Sequence, residues 1–113
     1  EANVIRRRLG DSLGLARSLM GLAVVRARAG EHERSAALME ESLRLCRDLG
    51  DEATLAHALA RRGDAARAQG HDDRARADYA EALLISQRVG ARRVTVMCTE
   101  GLAALEGARE RSE

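Results

Sequence analysis

GEHERSAALMEESLRLCRDLGD, residues 30–51, decides the fold, because most of its features come back forty residues further on. The second copy is GHDDRARADYAEALLISQRVGA, residues 70–91. Each opens with Gly and acidic residues, runs through a helical pattern to an Arg, and closes on an aliphatic residue followed by Gly. Upstream, EANVIRRR (residues 1–8) matches the end of the same unit when Glu1 is laid over Glu41 and Glu81. The chain is therefore expected to begin inside a repeat.

Outward from these copies, Gly10, Gly30, Gly50, Gly70 and Gly90 stand twenty residues apart. Glycine enters the left-handed conformation without a Cβ penalty and is the usual residue just past a helix end. The spacing thus predicts two helices per forty residues. Acids at the predicted starts (Asp11, Glu31, Asp51, Asp72) and arginines at the predicted ends (Arg8, Arg28, Arg47, Arg67, Arg88) suit the helix dipole. The expected organisation is the end of a preceding repeat over 1–8, full repeats over 9–48 and 49–88, and the first helix of a further repeat, or a capping helix, over 89–113.

Helical spacing assigns faces. In the first helix, 11–29, Leu15, Leu19, Leu22, Ala23 and Arg26 follow one stripe, while Arg17, Met20, Val24 and Arg28 face elsewhere. The second, 31–48, turns Ser35, Leu38, Met39, Ser42, Leu43 and Cys46 inward and pairs Glu40 with Arg44. The third, 51–69, repeats the first with Leu55, Leu59, Gly63 and Ala66, but carries Arg62 in the place of Leu22. Two readings fit Arg62. Its stem lies along the alanine-rich helix with the guanidinium in water, which is favoured because a buried unpaired charge is costly, or it is buried against Asp78 or Glu81. The fourth helix, 71–88, carries Ala75, Tyr79, Ala82, Leu83 and Ile85 inward and pairs Asp72 with Arg76. A fifth, 92–108, supplies Val94, Val96, Met97, Leu102 and Leu105, whose far side is expected to lack a partner and to promote self-association through this C-terminal helix.

Composition narrows the function. The 113 residues contain 22 Ala, no Pro, no Phe and no Trp, which is an all-helical composition for a single domain or part of one. All 19 basic residues are Arg, and 18 acids leave a net charge of +1, against a dedicated nucleic-acid or membrane surface. No apolar run is long enough to span a bilayer. Cys46 and Cys98, 52 apart and outside any CxxC pattern, read as buried thiols in a reducing cytosol.

These residues resemble the tetratricopeptide repeat, whose helix pair shows an apolar residue, Leu-Gly, a Gly between helices, then Ala, an aromatic and Ala-Leu. The first copy has Leu19, Leu22-Ala23, Gly30, Ser35, Met39 and Ser42-Leu43 in these places; the second has Leu59, Arg62-Gly63, Gly70, Ala75, Tyr79 and Ala82-Leu83. The third contributes Thr99 and Leu102-Ala103. The usual unit is 34 residues long; here the period is forty, with LGD, LGD and VGA at the joints. That longer form is similar to the helical arrays of large bacterial regulators that join a nucleotide-binding switch domain to a helix-turn-helix end, and to repeats of animal cell-polarity adaptors. Arginine without lysine favours the bacterial group. A HEAT or armadillo array is the alternative fold, against which Tyr79 and Ala82-Leu83 count.

The resemblance implies an all-α solenoid of antiparallel helix pairs whose first helices line a concave surface that holds peptides or partner helices. Its concave positions fall on Arg17, Met20, Val24, Arg28, His57, Ala60, Arg61, Asp64, Arg67, Met97, Glu100 and Ala104. The arginines suit an acidic or carboxylate-bearing segment through forked hydrogen bonds, and Met20, Val24 and Met97 offer adaptable apolar contact. The family's chaperone-tail clamp needs Lys and Asn where Met20 and Val24 stand, so that activity is not expected. Alternatively these charges only solvate an exposed face.

Catalytic patterns are missing. There is no Lys for a phosphate-binding loop, His32-Glu33 lacks the second His of a zinc-protease helix, and the adjacent side chains of His71-Asp72-Asp73 diverge on a helix. The expectation is a non-catalytic, cytoplasmic protein-interaction segment of a larger regulator, without metal or cofactor and without direct contact to nucleic acid or membrane. The alternatives are a small-molecule effector sensor and a structural or oligomerisation spacer.

Overall fold

In the computed structural model, which describes residues 2–112, the chain forms five helices and the described residues contain no strand. Glu1, on which the overlay of the first eight residues begins, lies outside them. The helices are α1 (Ala2–Arg28), α2 (His32–Leu49), α3 (Glu52–Ala68), α4 (Asp72–Val89) and α5 (Arg92–Ser112).

Four of the five periodic glycines end helices as expected: Gly30, Gly50, Gly70 and Gly90 sit at φ of 82°, 69°, 81° and 74°. At each joint the N–H after the glycine donates to a carbonyl five residues back, Glu31 to Arg26, Asp51 to Cys46, His71 to Ala66 and Ala91 to Ser86. This closure satisfies carbonyls that the helix end leaves without partners. Asp51 adds a side-chain cap by accepting from the Thr54 N–H at 3.2 Å.

Gly10 is the exception, and the break expected there is absent: α1 runs through it from Ala2 to Arg28. Glycine inside a helix costs only about 1 kcal/mol relative to alanine, whereas turning the chain requires a neighbouring rod on which the preceding segment can pack. Residues 7–10 are all exposed, and among the described residues no such rod lies beside them.

Helices α1 with α2 and α3 with α4 form close antiparallel pairs, and α1, α3 and α5 lie side by side in one layer with α2 and α4 in the other. The result is an elongated all-α stack of helix pairs, 61 × 32 × 17 Å. Its core is built from small residues, Ala16, Ala23, Ala56, Ala60, Ala75 and Ala82, which allow close helix approach, with Leu59, Met39 and Tyr79 filling between them. In the first pair Ser35 and Ser42 donate their hydroxyls to the carbonyls of Ala23 and Ala16, at 2.6 and 2.7 Å.

The buried stripe of α1 is Ala16, Met20 and Ala23: Ala23 is inside as expected, while Ala16 and Met20 take the places expected for Leu15 and Leu19. Leu15 is 49% exposed and Leu22 41%. The same register in α3 is covered, and Leu55 is only 7% exposed, because α2 lies on that side of α3. At the far end, where some of Val94, Val96, Leu102 and Leu105 are expected to lack a partner, Val96 is exposed and Leu102 half-buried. Val94 and Leu105 are buried against the second pair and only Val96, 54% exposed, stands free. The larger uncovered apolar face is on α1.

Ion pairs also differ from the local expectation. Arg62 does not extend into water: its Nε and Nη2 donate to both oxygens of the buried Asp78, at 3.0 and 2.8 Å, and Nη1 donates to Glu40 at 2.5 Å. A planar fork matched to a carboxylate compensates for burial in a way a lone charge cannot. Glu40 thus serves Arg62 rather than Arg44, Glu81 accepts from Arg47, and Arg76 pairs with Asp73 rather than Asp72.

Candidate functional site

The first-helix residues expected to share one surface separate into groups. Met20 is buried in the core, as is Ala60, so neither lines a groove; the close approach of α2 to α1 encloses the Met20 side of the helix. Met97 packs half-buried against the core. Arg17 and Glu100 are exposed but lie away from the residues that converge. His57 is half-buried, and its Nε2 is enclosed without a hydrogen-bond partner among the described residues.

Val24, Arg28, Arg61, Asp64 and Arg67 do come together. They line a cleft of about 450 Å³ between α1 and α3, floored by α2. One wall is Ala23, Val24, Ala27 and Arg28, the other is Arg61, Asp64, Ala65, Arg67 and Ala68, and His32, Ser35 and Met39 form the base. The α1 and α3 wall residues recur at three- and four-residue intervals, which puts each set on one helix face.

The cleft carries three guanidinium groups against one carboxylate, and that carboxylate is already engaged. Asp64 Oδ1 accepts the Tyr79 hydroxyl proton at 2.5 Å, and Arg67 donates through Nε to the same hydroxyl at 3.1 Å. Burial, then the hydrogen bond to Asp64, push the Tyr79 phenol up to about 12, with Arg67 opposing. Arg28 and Arg61 form no ion pair among the described residues. Beyond the cleft, burial and the cationic Arg61 and Arg93 lower the His57 pKa, against a smaller opposing influence of Asp64.

Several positions round the cleft differ between the two repeats, among them Gly63 and Gly101, whose counterparts forty residues earlier are Ala23 and Arg61. In the second pair Tyr79 is fully buried with its ring against Gly63 and Gly101, where a Cβ on Gly63 would stand 2.9 Å from the ring and one on Gly101 closer still. Leu105, 2% exposed, accompanies it. Forty residues earlier the counterparts are Met39 and Ala65, both shorter, and the space stays open. The base of the cleft was not anticipated from first-helix positions alone. The signal was present in the register, as Met against Tyr and Ala against Leu.

A second hollow of about 210 Å³ lies beyond Met39, between α2 and α3, but there Glu40 and Arg62 neutralise each other. Cys46 and Cys98 are both buried, and burial raises both thiols, Cys98 to about 11. Among the described residues no three His, Cys, Asp or Glu side chains converge as metal ligands, and no helix is long and apolar enough to cross a membrane. The cleft thus combines a base of Met39 beside His32 and Ser35 with walls that carry alanine methyls and guanidinium groups. Comparison with protein-family models, with curated proteins and with solved structures gave no match.

Proposed function

We propose that this chain is a non-catalytic protein-interaction module, a stack of tetratricopeptide-type helix pairs in a larger cytoplasmic regulator, and that the α1/α3 cleft accepts an acidic peptide segment. One observation carries the reading: three arginines line the cleft, two of them without an ion pair among the described residues, beside Met39 and the methyls of Ala23, Ala27, Ala65 and Ala68. Guanidinium groups present forked donors that suit carboxylates, and a desolvated floor strengthens those bonds.

Titration with a labelled acidic peptide tests it. Binding should weaken as salt rises and fall roughly tenfold or more in Arg28→Glu or Arg61→Glu, the effect of losing one charge-assisted contact. Binding that ignores both salt and charge reversal would overturn the arginine-lined groove, and absence of binding would leave the chain as a spacer. A second reading has its own support in the volume of the cleft, which lies in the range of small-ligand pockets of roughly 300–1,000 Å³. In that case the module senses an anionic effector, and calorimetry with carboxylate and phosphate metabolites separates the two. The parent is proposed to be a bacterial transcription regulator, a reading supported by the forty-residue form of the repeat and by arginine used to the exclusion of lysine.

A further inference from the structure

The second helix pair contains a worked example of what the first leaves open. Between α3 and α5 a ring, that of Tyr79, reaches from the second helix of its pair to the polar edge of the layer, held between two glycines. Its hydroxyl meets Asp64 and Arg67. In the forty-residue register the matching places in the first pair are Val24 and Ala27, which have no polar group for a ring substituent. The base is the Met39 side chain, whose polarisable thioether makes favourable contacts with aromatic rings. Across from Val24 and Ala27 stand Arg61 and Arg67, and guanidinium planes stack on ring faces.

From this pairing of repeats we infer that the cleft binds an acidic segment through one unsubstituted aromatic side chain, a phenylalanine ring seated on Met39 with flanking carboxylates on Arg28 and Arg61. The inference rests on the proposed acidic-peptide function and adds its anchor. Ala23 and Arg61 stand where Gly63 and Gly101 cradle Tyr79, so the incoming ring lies outside that cradle, over Met39. Val24 and Ala27 prefer phenyl to phenol, since a hydroxyl placed against them would lose its water without gaining a partner. The carboxylates alone give charge attraction with little register; the ring fixes where the segment lies.

Fluorescence anisotropy on the 113-residue chain with three short labelled peptides provides the test: an acidic peptide with one Phe, the same peptide with Phe→Ala, and the same with Phe→Tyr. The Phe peptide should bind roughly tenfold more tightly than the Ala form, the worth of one buried aromatic anchor, with the Tyr form weaker than Phe. Ala65→Leu, which places at the first pair the side chain present at Leu105, should bring the Phe peptide down to the level of the Ala peptide measured on the same variant. In 13C-methyl NMR, ring current should shift the Met39 methyl on adding the Phe peptide and not the Ala peptide, while Met20 and Met97 stay in place. Equal affinity of the Phe and Ala peptides, or an unmoved Met39 methyl, overturns the aromatic anchor and leaves the acidic groove standing. Absence of binding by all three overturns the groove and the anchor together.

Discussion

Arg62 and Asp78 form the bond on which the most can be tested at the scale of single residues. Their counterparts forty residues earlier are Leu22 and Leu38, so a charged pair stands in the second repeat where the first has two leucines. Removing only the cation strands a carboxylate that is 8% exposed, and breaking a buried pair typically costs about 3 kcal/mol or more, whereas replacing both members is often neutral. Arg62→Leu should therefore lower unfolding free energy in urea by about 3 kcal/mol, and Arg62→Leu with Asp78→Leu should return it to within about 1 kcal/mol of the parent. A double variant as unstable as the single one would contradict this account. Hydrophobic spacing identified the odd residue but not its state, because whether Arg62 extends or folds back depends on a carboxylate sixteen residues away on another helix.

His57 gives a prediction in pH. The folded chain resists protonating it, through burial first and then Arg61 and Arg93, so its pKa lies below 6.5. As pH falls through 6.5 the unfolded chain takes up this proton and the folded chain does not, and stability drops; above that pH the group has no influence. Thermal melts of the parent should thus decline below pH 6.5 more steeply than those of His57→Gln, and identical slopes would show that His57 titrates normally.

At the scale of the element, the helix joints separate two uses of glycine. Gly70, at φ 81°, lies in the left-handed region where a Cβ is strained, and Gly10 lies inside α1 with open space around it. Gly70→Ala should destabilise by about 1 kcal/mol, and Gly10→Ala should stabilise by up to about 1 kcal/mol. If both substitutions destabilised, α1 would have to break at residue 10 in solution. The joints at Gly30, Gly50, Gly70 and Gly90 were legible because a helix end is a local event, decided by backbone strain and a five-residue hydrogen bond. Gly10 carries the same local signals, with Arg8 before it and Asp11 after it, and they were outweighed by the lack of a rod for the preceding segment. The stripe of α1 differs for a related reason: Leu15 and Leu22 have the right spacing for burial, but among the described residues no helix covers that side of α1.

Across the whole molecule, that uncovered side makes the two ends of the stack unlike. Leu15, Leu22 and Val25 project from α1 at 41–57% exposure, while the far end on α5 offers chiefly Val96 beside Thr99 and Glu100. Leu15→Glu with Leu22→Glu should reduce self-association in sedimentation velocity while changing stability by no more than about 0.5 kcal/mol, as for surface positions generally. Val96→Glu should alter association far less; the reverse order would return the sticky face to the C-terminal helix. Five rods, an all-helical class, four of the joints and the identity of five cleft residues were readable along the chain, since periodicity, capping and turn chemistry act within a few residues. Which leucines are covered, which carboxylate meets Arg62, and that a cleft opens over Met39 while Tyr79 fills its sister emerged only from three-dimensional packing. A side chain's burial and its ion partner are properties of whatever helix lies opposite, and that neighbour is set by how the rods stack rather than by the residues adjacent in sequence.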